Sequence, residues 1–175
     1  SEAEELVKDA ERVVEELERR LRKVSEDIDR EVKKIKRELD EHSKRVKETV
    51  DDVRRRNLPE EDVRRIVEEL KDSLEKLREK LERKREEIRR RSEKLKREAD
   101  KVLEELKKKL DEIRKKGLGT EELKKRVEDL IRTIKELIKR HDDSVKEVEK
   151  RIREMLERNR KSVEEVIEEL KRTSK

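Results

Sequence analysis

The side chains of this 175-residue chain whose types could support chemistry are few: His42 and His141, a scatter of serines, and Asn159. An imidazole beside a serine hydroxyl can activate a nucleophile, imidazoles sharing carboxylates can hold a metal ion, and a lone buried imidazole can respond to pH. Other chemistries are closed from the start. With no cysteine there are no disulfides, thiolate metal sites or cysteine nucleophiles. With no Phe, Tyr or Trp there is no stacking platform for single-stranded nucleic acid and no aromatic cage for a cation.

What these residues can do depends on the elements that carry them. Charged residues make up 61 % of the chain, and its 56 basic and 51 acidic side chains leave a net charge of +5. Leu, Ile and Val still number 45, about 26 % and above the level of disordered chains, so the text fits long amphipathic helices. Two places interrupt it, Asn57-Leu58-Pro59 and Gly117-Leu118-Gly119-Thr120, which hold the single proline and both glycines. Asn57 and Gly117 can take the left-handed conformation that ends a helix, and Pro59 suits the first turn of the next. Thr120 caps a third helix, and Ser1 with Glu4 forms a capping box for the first. The expectation is one all-α domain over 1–175, with helix 1 at about 2–56, a loop at 57–59, helix 2 at about 60–116, a loop at 117–119 and helix 3 at about 120–173. At 1.5 Å per residue each helix is roughly 80 Å long, and loops this short make neighbours antiparallel.

Apolar spacing adds a frame. Helix 1 turns Ala3, Leu6, Ala10, Val14, Leu17, Leu21, Val24, Ile28, Val32, Ile35, Leu39, His42, Val46, Val50 and Val53 inward, a pattern that repeats every 18 residues. The sets Ala3/Leu21/Leu39, Leu70/Ile88/Leu106, Leu77/Leu95/Ile113, Val127/Val145/Val163 and Ile134/Ile152/Leu170 keep the same register. Eighteen residues make five turns of 3.6, between the seven-residue repeat of left-handed supercoils and the eleven-residue repeat of right-handed ones, so nearly straight, untwisted coiled-coil-like packing is expected. Equal helices, this repeat, idealised caps, the Gly117-Leu118-Gly119-Thr120-Glu121-Glu122-Leu123 loop and Glu/Lys/Arg surfaces resemble parametrically designed, de novo helical bundles. The resemblance covers the whole chain. It implies a single-chain, straight antiparallel three-helix bundle of high stability, a scaffold with no natural substrate. Spectrin-like repeats share the plan but are shorter and carry a buried Trp, absent here.

Folding the helices back through the two loops places residue i of helix 1 near 116 − i on helix 2 and near 120 + i on helix 3, within about one turn. His42 and Ser43 then fall level with Ser73 and Ser162, with Asn159 one turn away. His141 and Ser144 fall level with Ser92 and Ser25. These read as two buried hydrogen-bond networks, in which hydroxyls satisfy both ring nitrogens of a neutral imidazole and wrong registers leave them unpaired. A Ser/His dyad would also need an accessible serine, an orienting acid and an oxyanion site, so no catalytic residue is expected. About 21 residues of height, roughly 31 Å, separate the histidines, so they share no metal ion. A pH response of the buried imidazoles is the remaining functional reading. Glu31, Lys84, Arg85 and Glu149 occupy frame positions in the middle repeat. Glu31 and Arg85, level with each other and near Glu149, are expected to form a central ion pair, the other reading being side chains that reach outward to water.

Residues 83–97 carry nine basic and three acidic side chains, which gives weak, non-specific attraction to phosphate at low salt. No signature of specific nucleic-acid recognition accompanies it. The longest apolar runs are two residues, as at Val13-Val14 and Leu130-Ile131, against about 20 for a membrane span and roughly 7–15 for a signal-peptide core. A soluble chain without a targeting segment is expected, consistent with cytoplasmic expression of a synthetic protein. No cofactor, metal or partner is called for, and a monomer is expected. Self-association is the alternative, disfavoured because each helix has one apolar stripe and no second one for an interface.

Overall fold

The computed structural model describes residues 1–173. It consists of α1 (Glu2–Arg56), α2 (Glu60–Lys115) and α3 (Glu121–Thr173), with no strand among the described residues. The ends form where local chemistry demands. The hydroxyl of Ser1 accepts the Glu4 N–H at 3.2 Å and that of Thr120 accepts the Leu123 N–H at 3.3 Å, satisfying donors that an opening helix leaves unpaired. Acidic residues fill each first turn and basic residues each last turn, complementing the helix dipole.

Asn57 closes α1 at φ 48°. Pro59 stands just before α2, where its carbonyl accepts the N–H groups of Asp62 and Val63, both at 3.1 Å. Gly117, at φ 60°, ends α2 in a Schellman motif: its N–H reaches the Arg114 carbonyl at 3.3 Å and the Leu118 N–H reaches Ile113 at 3.0 Å. Gly119 has φ 85°, and a Cβ there would lie 3.0 Å from the Ala3 Cβ. That loop therefore requires glycine for backbone and for space.

The chain divides into two compact units, each holding a stretch of all three helices: Ser1–Ile28 with Ile88–Glu147, and Asp29–Glu87 with the chain from Val148 onward. In the first, Arg20 meets Glu98, Arg114 meets Glu128 at 2.7 Å and Arg126 meets Glu11. In the second, Glu38 meets Lys84 at 3.1 Å and Arg54 meets Glu169 at 3.1 Å. In both units α2 runs against α1, and α3 runs with α1.

The cores follow the apolar frame. Ala10, Val14, Leu17, Leu21, Leu95, Ala99, Leu106 and Ile134 form one cluster of the first unit, and Val7, Leu110, Ile113 and Val127 another. Val46, Val50, Val53, Val63, Val67, Leu70, Leu74, Val163, Ile167 and Leu170 form that of the second. The frame needs three amendments: Leu6, Val24 and Leu77 are only half-buried, and Val7, adjacent to Leu6, is the fully buried member of that pair. Steps of three and four sit either side of the 3.6-residue turn, so one of two adjacent apolar residues faces inward and the other flanks it.

Candidate functional site

Each unit holds one buried polar cluster built on a histidine. In the second unit, His42 of α1 is 2 % exposed and Asn159 of α3 is 4 % exposed. The Asn159 Nδ2 donates to Ser43 Oγ at 2.9 Å and lies 3.4 Å from both His42 Nδ1 and the Leu39 carbonyl oxygen. Because Nδ1 accepts, the neutral ring carries its proton on Nε2, which reaches the exposed Ser73 Oγ of α2 at 3.1 Å. The chain Asn159–His42–Ser73 thus ties all three helices of this unit. Asn159, expected one turn from the level of His42, is its hub. Ser162 lines the adjoining cavity without bonding to the set.

In the first unit, His141 of α3 and Ser92 of α2 are each 8 % exposed, with Nε2 and Oγ 3.0 Å apart. Half-buried Ser25 and exposed Ser144 line a cavity of about 560 Å³ beside His141 and make no hydrogen bond to it. This cluster is a single pair between two helices.

Burial lowers the pKa of both imidazoles. For His42 the neighbouring Arg45 acts in the same direction. For His141 the Asp142 carboxylate opposes burial and Lys96 adds to it. Both rings are held in the neutral form, with an acceptor nitrogen and a donor nitrogen. Among the described residues no carboxylate orients either ring by a hydrogen bond, and no group of three or more His, Asp or Glu side chains could hold a metal ion.

The central ion pair is placed differently from the expectation. Glu31 Oε1 lies 3.7 Å from Lys34 and Arg85 Nη1 lies 3.5 Å from Glu82, each an i, i+3 partner on its own helix, while Glu149 is half-buried on α3. Long side chains that keep contact with water find partners along their own helix at little entropic cost. Besides Arg54 with Glu169, this unit has a cross-helix ionic contact of Glu38 with Lys84 at 3.1 Å and Lys80 at 3.5 Å. Burial acts to raise the Glu38 pKa, but the two ammonium groups outweigh it and hold the carboxyl below its usual range. Glu38 lies beside the frame position Leu39, which is the only sequence signal that could have marked it.

No protein-family model matches the chain, and no curated protein matches it. Among solved structures it is similar to a "Computationally designed three helix bundle", with 20 % sequence identity and a TM-score of 0.50, over 97 % of this chain and 87 % of that one. At that identity the likeness is one of fold: three helices packed on one another. No described helix is long and apolar enough to cross a membrane.

Proposed function

We propose that the chain is an artificial structural scaffold: one single-chain, monomeric, highly stable bundle that needs no cofactor and no partner and catalyses no reaction. The observation that carries this reading is where its buried polar groups go. His42, Asn159, Ser92 and His141 face other helices and hydrogen-bond there, so their chemistry serves helix register instead of a substrate. The surface agrees with a monomer, since no large hydrophobic side chain is exposed among the described residues. The similarity to a designed three-helix bundle supports an artificial origin.

Light scattering on a sizing column, together with thermal and guanidinium unfolding, tests the reading. The expected result is a single species near 21.4 kDa that resists unfolding to high temperature. A dimer or larger species would put a self-assembly module built from the same helices in its place.

A further inference from the structure

The outward face of α2 changes character within the first unit. Its outermost positions there run Arg90, Lys94, Arg97 and Lys101, in steps of four, three and four that stack them along one stripe about 16 Å long. All four are exposed, and none makes an ion pair or a hydrogen bond among the described residues. Other outward faces mix their signs. α3 alternates Lys125, Asp129, Arg132, Glu136, Lys139 and Asp143 in the same unit, and α2 itself carries Arg65, Glu68, Asp72, Lys76, Glu79 and Arg83 before the stripe begins.

The stripe widens toward α1. Lys94 shares a groove with Lys23 of α1, and the acids of that groove, Asp27 and Glu98, already have partners, Arg20 in the case of Glu98. Lys23, exposed and without an ion pair among the described residues, is a fifth uncompensated cation. Toward α3 the stripe is bounded by Glu93 and Asp100, on the flank where Lys96 meets Asp142 at 3.6 Å.

We propose that Lys23, Arg90, Lys94, Arg97 and Lys101 form a docking face for double-helical DNA, held by its phosphate backbone without regard to sequence. The charges are complementary in density as well as in sign. The duplex carries one negative charge per about 1.7 Å of its axis, and each cation that neutralises a phosphate releases condensed counterions. Arg90 and Arg97 can each grip a phosphate by two parallel N–H bonds, and such contacts carry no sequence information. A single strand gains less per contact, and with no aromatic side chain in the protein its bases find nothing to stack on. An acidic peptide, even fully extended, spaces its charges at about 3.3 Å, half the density of the duplex. This face is additional to the scaffold reading and independent of it, since a bundle that failed to stay monomeric would still carry the stripe.

The test is fluorescence anisotropy of a labelled DNA duplex of about 20 base pairs, titrated with the full chain between about 20 and 80 mM salt. Expected are a dissociation constant on the order of micromolar at the low end and a slope of log affinity against log salt of about −4, an affinity loss of about 250-fold across that range. Arg97→Gln with Lys101→Gln should bring the slope to about −2 and weaken binding at low salt about tenfold or more. Lys125→Gln with Lys139→Gln removes the same net charge from the outward face of α3 and should leave affinity within about twofold. All four positions are exposed, so both variants keep the fold, which circular dichroism verifies. An equal loss in the two double variants, a parent slope shallower than about −2, or competition by polyglutamate or by a single strand as effective as that by unlabelled duplex each overturns the proposal.

Discussion

The contact between Asn159 and His42 can be measured by a double-substitution cycle of Asn159→Leu and His42→Leu. In the parent, Asn159→Leu removes the donor that, among the described residues, reaches His42 Nδ1, while Nε2 stays committed to Ser73. A ring that is 2 % exposed cannot recruit bulk water to the stranded nitrogen, and a buried acceptor left unpaired costs about 1–3 kcal/mol. The 3.4 Å separation is long for this contact and places the cost toward the lower end of that range. With leucine already at 42, the same substitution strands no ring nitrogen; the loss of the Ser43 contact is common to both backgrounds and cancels in the cycle, while the orphaned Asn159 Oδ1 goes and a better helix former takes its place. Asn159→Leu should therefore destabilise the parent and be neutral or stabilising in the His42→Leu background, with a coupling of about 1–2 kcal/mol. Guanidinium unfolding at pH 8, where both rings are neutral, measures all four corners, and constant slopes license the comparison. Distant independent sites add within about 0.3–0.5 kcal/mol. Additivity to that margin would refute the hydrogen bond and leave the two side chains as neighbours only.

The histidines also set a pH dependence. Their folded pKa values lie below the ordinary 6.5, so as pH falls past that value the unfolded chain binds protons that the native rings refuse. Stability should be full above about pH 6.5 and fall toward pH 5, before carboxylates titrate. Guanidinium midpoints for the His42→Leu plus His141→Leu variant should be flat over that window; an unchanged slope assigns the effect elsewhere. The second loop separates backbone strain from crowding. Gly117→Ala has open space for its Cβ and should cost about 1–2 kcal/mol for the left-handed backbone alone, whereas Gly119→Ala adds a contact with Ala3 and should cost more. Equal unfolding midpoints for the two variants would contradict the crowding at Gly119.

Much of the fold is legible in the text because its causes are local. The left-handed residue that ends α1 is an asparagine, the one that ends α2 is a glycine, and the first residue of α2 follows the only proline. The partners of the polar residues are less legible. His42 with Ser73 and His141 with Ser92 follow from matching heights across the loops. The place of Asn159 at the hub, the loose positions of Ser25, Ser144 and Ser162, and the cross-helix pairing of Glu38 where Glu31 was expected do not. Heights counted through a loop are good to about one turn, 5.4 Å, and a hydrogen bond tolerates a few tenths of an ångström.

The sequence by itself therefore determined three helices, their ends and the 18-residue frame that turns one face of each inward, since these rest on backbone conformation and on spacing along one chain. Only the tertiary structure decided that Val7 is buried more deeply than Leu6, that His42 accepts on Nδ1 and donates from Nε2, that Lys84 turns to Glu38, and that one amide oxygen of Asn159 is left over. Those outcomes are choices among side chains at nearly the same height on different helices. They are settled by the exact offset and rotation of each helix, which packing imposes and no single stretch of sequence encodes.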